Sequence, residues 1–171
     1  MQPIHPAVGG GRLRLLGLYH GMGHDIACTY VGTYDWPGEP FRDHALSPSL
    51  REIDIPLSEA HHRAARAYTE SASGLNVIDL MFSQQAHLSP DYVDEVVRRI
   101  REARVVIFSH PWVYPLVAHH IRDNQTVIYD SHNVEGFLRA QLIDRANGLQ
   151  LAALRNVISD ELSLSQRADW I

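Results

Sequence analysis

Short apolar runs alternate along the chain with longer stretches in which apolar residues recur at helical spacing. Arg12 to Met22 reads as a helix that stops at Gly23, and Asp25 to Gly32 as a strand. Tyr34 to Ser49 carries three prolines and a glycine and reads as a loop. Glu52 to Leu57 is a second strand, and Ser58 to Ser71 an alanine-rich helix with Ser58 placed as its N-cap. Asn76 to Phe82 is a further strand. Ser89-Pro90 opens a helix on which Val93, Val96, Val97 and Ile100 share one face. Arg104 to Phe108 and Thr126 to Tyr129 are almost wholly apolar and read as strands buried on both faces. Tyr114 to Arg122 is a short helix, and another starts near Val134. A long one runs from Gly148 to Gln166, with Leu151, Leu154, Ile158 and Leu162 on one side. At Ala168 to Ile171 a new strand can begin. No internal repeat is present. Strands alternating with helices predict an α/β domain with a largely parallel sheet.

The length of 171 residues fits one domain. Apolar residues make up 45% and charged residues 20%, ordinary for a folded chain, so composition alone selects no special class. The absence of lysine says more: all 15 basic residues are arginines. That excludes a Walker A loop and a Schiff-base lysine. A net charge of −5 argues against a nucleic-acid partner. The single cysteine, Cys28, excludes a disulfide framework within one chain and fits a reducing compartment. No apolar run approaches the length that spans a bilayer, and residues 1–6 hold no signal core, so the expected location is cytoplasmic. Peripheral contact with the inner face of a membrane stays open.

In a parallel sheet, ligands bind at the carboxyl ends of the strands, so the residues that follow each strand are the ones to inspect. After the Arg104–Phe108 run come Ser109-His110-Pro111-Trp112. After Thr126–Tyr129 come Asp130-Ser131-His132-Asn133-Val134-Glu135. Two histidines, a carboxylate and an indole thereby converge on one edge, and a glycine run, Gly9-Gly10-Gly11, joins them if a strand precedes it. Asn133 or Ser131 reads equally well as a helix N-cap, Glu135 as a first-turn acid favoured by the helix dipole, and Trp112 as core. The glycine run departs from the dinucleotide fingerprint at Arg14 but places bare N–H groups at a helix start, a usable anion site with Arg12 beside it. No metal is expected. His61-His62 and His119-His120 are adjacent pairs whose side chains diverge by roughly 100° on a helix. His20 and His24 are separated by glycines, and no HExxH is present.

Four segments together resemble the N-terminal half of a GT-B glycosyltransferase of the large retaining family 4, the group-1-like transferases. They are Pro6 to Arg14, similar to the family's glycine loop; Gly23 to Ile26, similar to the "GH-D/E-V" before its second strand; and Val105 to Pro115 and Val127 to Glu135, similar to its two strand-end histidine segments. The terminal helix with Val157 and Glu161, running into Ala168-Asp169, is similar too. The resemblance implies a Rossmann-like three-layer domain with a mostly parallel sheet, spanning residues 1–171 as a single acceptor-side domain incomplete at both ends. It implies transfer of a sugar from a nucleotide-sugar donor to a saccharide or lipid-linked acceptor, without a metal or other cofactor. His132 matches the histidine beside the reacting sugar, the catalytic position. Gly9, Gly10, Gly11 and Arg12 match the donor-phosphate loop. His110, Trp112, Asn133 and Glu135 would line the acceptor side.

The chain departs from the family pattern in two places. Gln2 to Pro6 is a poor match to the expected first strand, and the C-terminal domain that grips the donor has no counterpart in these residues. The expectation is therefore a domain inactive by itself. The alternatives are a non-catalytic sugar-binding or partner-docking α/β module, and an epimerase-like relative that acts on the sugar nucleotide without an acceptor.

Overall fold

The computed structural model describes residues 2–23, 25–76 and 78–171. His24, in the Gly23–Ile26 segment, and Val77, in the expected Asn76–Phe82 strand, lie outside the described residues. The chain is a mixed α/β protein that divides into two compact units, Met1–Ser58 and Glu59–Ile171.

In the first unit, helix α1 spans Gly10–Tyr19 and so starts two residues before the expected Arg12 and ends short of Met22. Gly9 precedes it at φ 87°, a conformation that costs a side-chain-bearing residue and costs glycine nothing. Strands β1 (Cys28–Gly32), β2 (Arg42–Ala45) and β3 (Leu50–Asp54) form a sheet in the order β1-β3-β2. β1 runs parallel to β3, and β2 antiparallel to it. Pro56 follows β3, which ends at Asp54 rather than at the expected Leu57.

β2 corrects the reading of Tyr34–Ser49 as a loop throughout. Its Arg-Asp-His-Ala sequence has no apolar alternation, and polar side-chain contacts with β3 do the cross-strand work. Arg51 donates to both oxygens of Asp43, at 2.6 and 2.7 Å, and His44 Nε2 lies 3.3 Å from Glu52 Oε2. Glu52 is fully buried and also accepts the backbone N–H groups of Ile4 and His5. Asp54, two residues on and therefore on the same face of β3, is fully buried as well.

The second unit begins with α2 (Glu59–Ser71), just after Ser58. The expected strand at Asn76–Phe82 is instead a turn leading into the short helix α3 (Phe82–Gln85) and a 3-10 turn at Ala86–Leu88. Two polar side chains compete with strand pairing there. Asn76 Oδ1 accepts the N–H of Ile78, and Asp79 Oδ1 accepts that of Leu80. The apolar residues of the run are buried all the same: Leu80 and Met81 pack with Ala72, Ala153 and Val157.

Helix α4 (Pro90–Glu102) has proline at its first position and buries Tyr92, Val96, Val97 and Ile100. Strands β4 (Val105–Phe108) and β5 (Thr126–Tyr129) pair in parallel, and Trp170 adds a parallel bridge to Ile128. Both strands bury alternate residues, Val106 and Phe108 on one and Val127 and Tyr129 on the other, while Val105 is 47% exposed. They are half-buried strands, not strands covered on both faces. Between them the chain forms a 3-10 turn (Pro111–Val113), α5 (Tyr114–Val117) and a second 3-10 turn (Ala118–His120) in place of one regular helix.

Helices α6 (Glu135–Ala140) and α7 (Gly148–Arg167) complete the unit. Asn147 caps α7, accepting the N–H groups of Leu149 and Gln150. The buried stripe of α7 is Gln150, Ala153, Leu154, Val157 and Leu164. Of the four residues that share one side in the sequence pattern, only Leu154 is buried, and Leu162 is 57% exposed. The parallel sheet expected as one surface is present as two small sheets, one of which carries an antiparallel strand.

Candidate functional site

β4 and β5 are adjacent and parallel, so the segments leaving them emerge at the same edge. Past β4 the chain bends at Ser109 and His110, with His110 itself in an extended conformation, and Pro111 then starts the 3-10 turn that carries Trp112 inward. Past β5 the N–H of Asp130 bonds to the carbonyl of Phe108, which prolongs the ladder by one residue. Ser131 Oγ donates to the carbonyl of Asn133, and α6 follows.

Neither Ser131 nor Asn133 caps α6. Glu161, from α7, does so instead, accepting the N–H of Glu135 at 2.8 Å and that of Gly136 at 2.7 Å. It also accepts the hydroxyl proton of Tyr129 at 2.9 Å, which ties the end of β5 to the start of α6. Burial and this carboxylate push the Tyr129 hydroxyl far above its ordinary value.

His110, Trp112, His132, Asn133 and Glu135 come together at this edge. The His110 ring stacks on the Trp112 indole, with centroids 4.5 Å apart and planes 10° apart. It meets the His132 ring edge-on at 5.1 Å. Nδ1 of His110 lies 3.5 Å from Glu135 Oε1. Asn133 Nδ2 reaches the same oxygen at 3.5 Å. The other oxygen of Glu135 faces Arg139 Nε at 3.3 Å, and Arg139 is paired in turn with Asp79 at 2.6 Å. The Arg139 guanidinium also lies 5.9 Å from the centroid of the Trp112 ring.

Burial divides these residues by what each can reach. Trp112 and Glu135 are both 2% exposed, so neither is a surface for a ligand. The indole supports His110, and the carboxylate lies behind it. His110 and His132 are half-buried and Asn133 is exposed. Burial pushes the His110 imidazole down to about 4 against the opposing pull of Glu135, so the ring is neutral at pH 7. Burial works to raise Glu135, but His110, Arg139 and Asn133 outweigh it and hold the carboxyl below its usual range. The site thus combines a fixed negative charge, a neutral imidazole and a second imidazole beside it.

Arg139 and Asp79 were not among the residues expected from the sequence. The i,i+4 spacing of Glu135 and Arg139 on one helix was the available signal for the first. Asp79 had none, because it falls in the segment that reads as a strand.

The glycine run belongs to the first unit. Gly10 and Gly11 are the first two residues of α1, whose first turn holds no acidic residue. A Cβ on Gly9 or Gly10 would meet nothing within 4 Å, so the backbone there is uncovered. Arg12 is turned back on the N-terminal segment, donating to the Pro6 carbonyl at 3.4 Å and to Gln2 Oε1. Among the described residues, no group of three or more His, Cys, Asp or Glu could hold a metal ion. The His119 and His120 rings are 4.0 Å apart, in a 3-10 turn. Among the described residues no helix is long and apolar enough to cross a membrane. No protein-family model, no curated protein and no solved structure matches this chain.

Proposed function

We propose that this chain is the N-terminal, acceptor-side domain of a retaining GT-B glycosyltransferase, which moves a sugar from a nucleotide-sugar donor to a saccharide or lipid-linked acceptor. The observation that carries the reading is the meeting of His110, His132, Asn133 and the buried Glu135 at the carboxyl ends of two parallel strands. Glycosyl transfer builds positive charge at the anomeric carbon and negative charge on the departing diphosphate. Bare N–H groups at the start of α1 suit a departing anion, and Gly9 to Gly11 take that role in the proposal, while Arg12 is engaged by Gln2 and Pro6. His132 lies beside the reacting sugar and orients it. His110 and Asn133 face the acceptor, and Trp112 and Glu135 stand behind His110 rather than touching the acceptor. The nucleotide sugar is held mainly by a C-terminal domain, as the family resemblance implies, and the catalytic cleft forms between the two.

Calorimetric titration with a panel of nucleotide sugars tests this, first on the 171-residue chain and then on the chain fused to a C-terminal family domain. The expected result is no donor binding by the chain alone, binding and turnover by the fusion, and loss of turnover on His132→Ala. Tight donor binding by the chain alone would overturn the two-domain reading.

A further inference from the structure

We propose that Glu135 is a positioning residue for His110: it accepts a hydrogen bond from Nδ1–H of that imidazole and so leaves Nε2 bare to accept one from a hydroxyl of the acceptor sugar. The hydroxyl-accepting half of this inference rests on the acceptor-side reading of the site. The pairing of Glu135 with His110 does not.

Nδ1 of His110 is buried and has no formed hydrogen bond, and Glu135 Oε1 is the polar atom it faces. A buried ring nitrogen needs a partner, and a separation of 3.5 Å is one that closes when a site fills. The His110 side chain nevertheless keeps 23% exposure. With Nδ1 buried, that exposure falls on the rest of the side chain. An ionised carboxylate can only accept, so a neutral imidazole beside it places its one proton on the nitrogen that faces it. The opposite nitrogen then carries a lone pair and cannot donate. Sugar hydroxyls are donors of the matching kind.

The neighbours restrict every other arrangement. Arg139 holds Oε2 of Glu135, which leaves Oε1 for His110 and Asn133. Asp79 holds Arg139 from the far side. The Trp112 indole lies flat against the imidazole and fixes its plane, and His132 closes one edge. Glu135 is too deeply buried to meet a substrate itself, so its effect passes through His110.

Long-range proton–nitrogen correlation NMR of the uniformly 15N-labelled chain at pH 7 reads the tautomer directly. His110 is assigned by the signals lost in His110→Gln. The expected pattern is a neutral ring with pyrrole-type Nδ1 and pyridine-type Nε2, a loss of that pattern in Glu135→Gln, and its return in Glu135→Asp. D-glucose, D-mannose, D-galactose and N-acetylglucosamine are then added in turn. At least one is expected to shift Nε2 more than Nδ1 in the wild type and not in Glu135→Gln. A proton on Nε2, a charged ring at pH 7, or an unchanged pattern in Glu135→Gln would each overturn the positioning role, whatever the sugars do. The wild-type tautomer decides this even where a variant does not fold. The expected tautomer with no sugar moving Nε2 would overturn the acceptor-side role and leave the Glu135–His110 pairing standing.

Discussion

The Glu161 carboxylate lies 2.7 Å from the backbone nitrogen of Gly136, an approach possible because Gly136 has no side chain. A Cβ there would sit 3.2 Å from Glu161 Oε2 and 2.8 Å from Ile158 Cγ1. The contact that starts α6, and with it the position of Glu135, depends on this missing atom.

Gly136→Ala is therefore expected to destabilise the protein, although alanine is the better helix former. Overpacking costs about 1–3 kcal/mol and the gain in helix propensity offsets about 1 kcal/mol, so a net loss of up to about 2 kcal/mol is expected in urea denaturation. Ile158→Ala in the same chain removes the closer clash and should recover part of that loss. A double variant no more stable than Gly136→Ala would show that the clash with Ile158 is not the cause.

Asn147→Ala removes the side chain that accepts two N–H groups at the start of α7. The expected loss is about 1 kcal/mol. Amide exchange should quicken first at Leu149 and Gln150. Unchanged exchange at both positions would mean that the cap contributes nothing.

His61 is fully buried, and burial pushes its imidazole down to about 4 from 6.5. Between those values the unfolded chain binds a proton that the folded chain refuses. Stability is thus full above pH 6.5, falls as the pH drops toward 4, and levels off below. His110 contributes in the same direction. His61→Phe should lessen the slope of denaturation midpoint against pH in this window without removing it. An unaltered slope would show that His61 does not titrate there.

Asp54 acts in the opposite sense. Burial, with Glu52 nearby, raises its carboxyl from 3.8 to about 7, and neither oxygen has a hydrogen-bond partner. Between those values the folded chain keeps a proton that the unfolded chain has released. Its contribution therefore declines as the pH rises from about 4 through 7, and the full loss is reached above 7. Asp54→Asn, which stays neutral, should be more stable than the wild type at pH 8 and little different at pH 4. An equal effect at both values would exclude ionisation as the cause.

What the sequence made legible and what it hid have separate physical reasons. The runs at Val105–Phe108 and Thr126–Tyr129 are apolar and β-branched, so both strands could be read, and with them the residues at their ends. His110, Trp112, His132, Asn133 and Glu135 could therefore be grouped before any coordinates. Their division into those that face outward and those that stand behind depends on burial, which neighbouring elements decide. β2 carries no such signal because polar pairs, not an apolar stripe, join its side chains to β3. Asn76 to Phe82 looked like a strand because periodicity cannot register Asn76 and Asp79 turning back on their own backbone. The buried stripe of α7 lies about a third of a turn from its leucine-rich side, because Ala153 and Gln150 face the core and Leu162 faces solvent.

Residues 3–6 read Pro-Ile-His-Pro, and proline has no backbone N–H to give. The segment consequently owns only two main-chain donors, those of Ile4 and His5, and Glu52 receives both. One carboxylate thereby satisfies both donors of this stretch, and it requires no register. Substituting Glu52 would release both donors in a single step, whereas a strand edge would loosen one rung at a time.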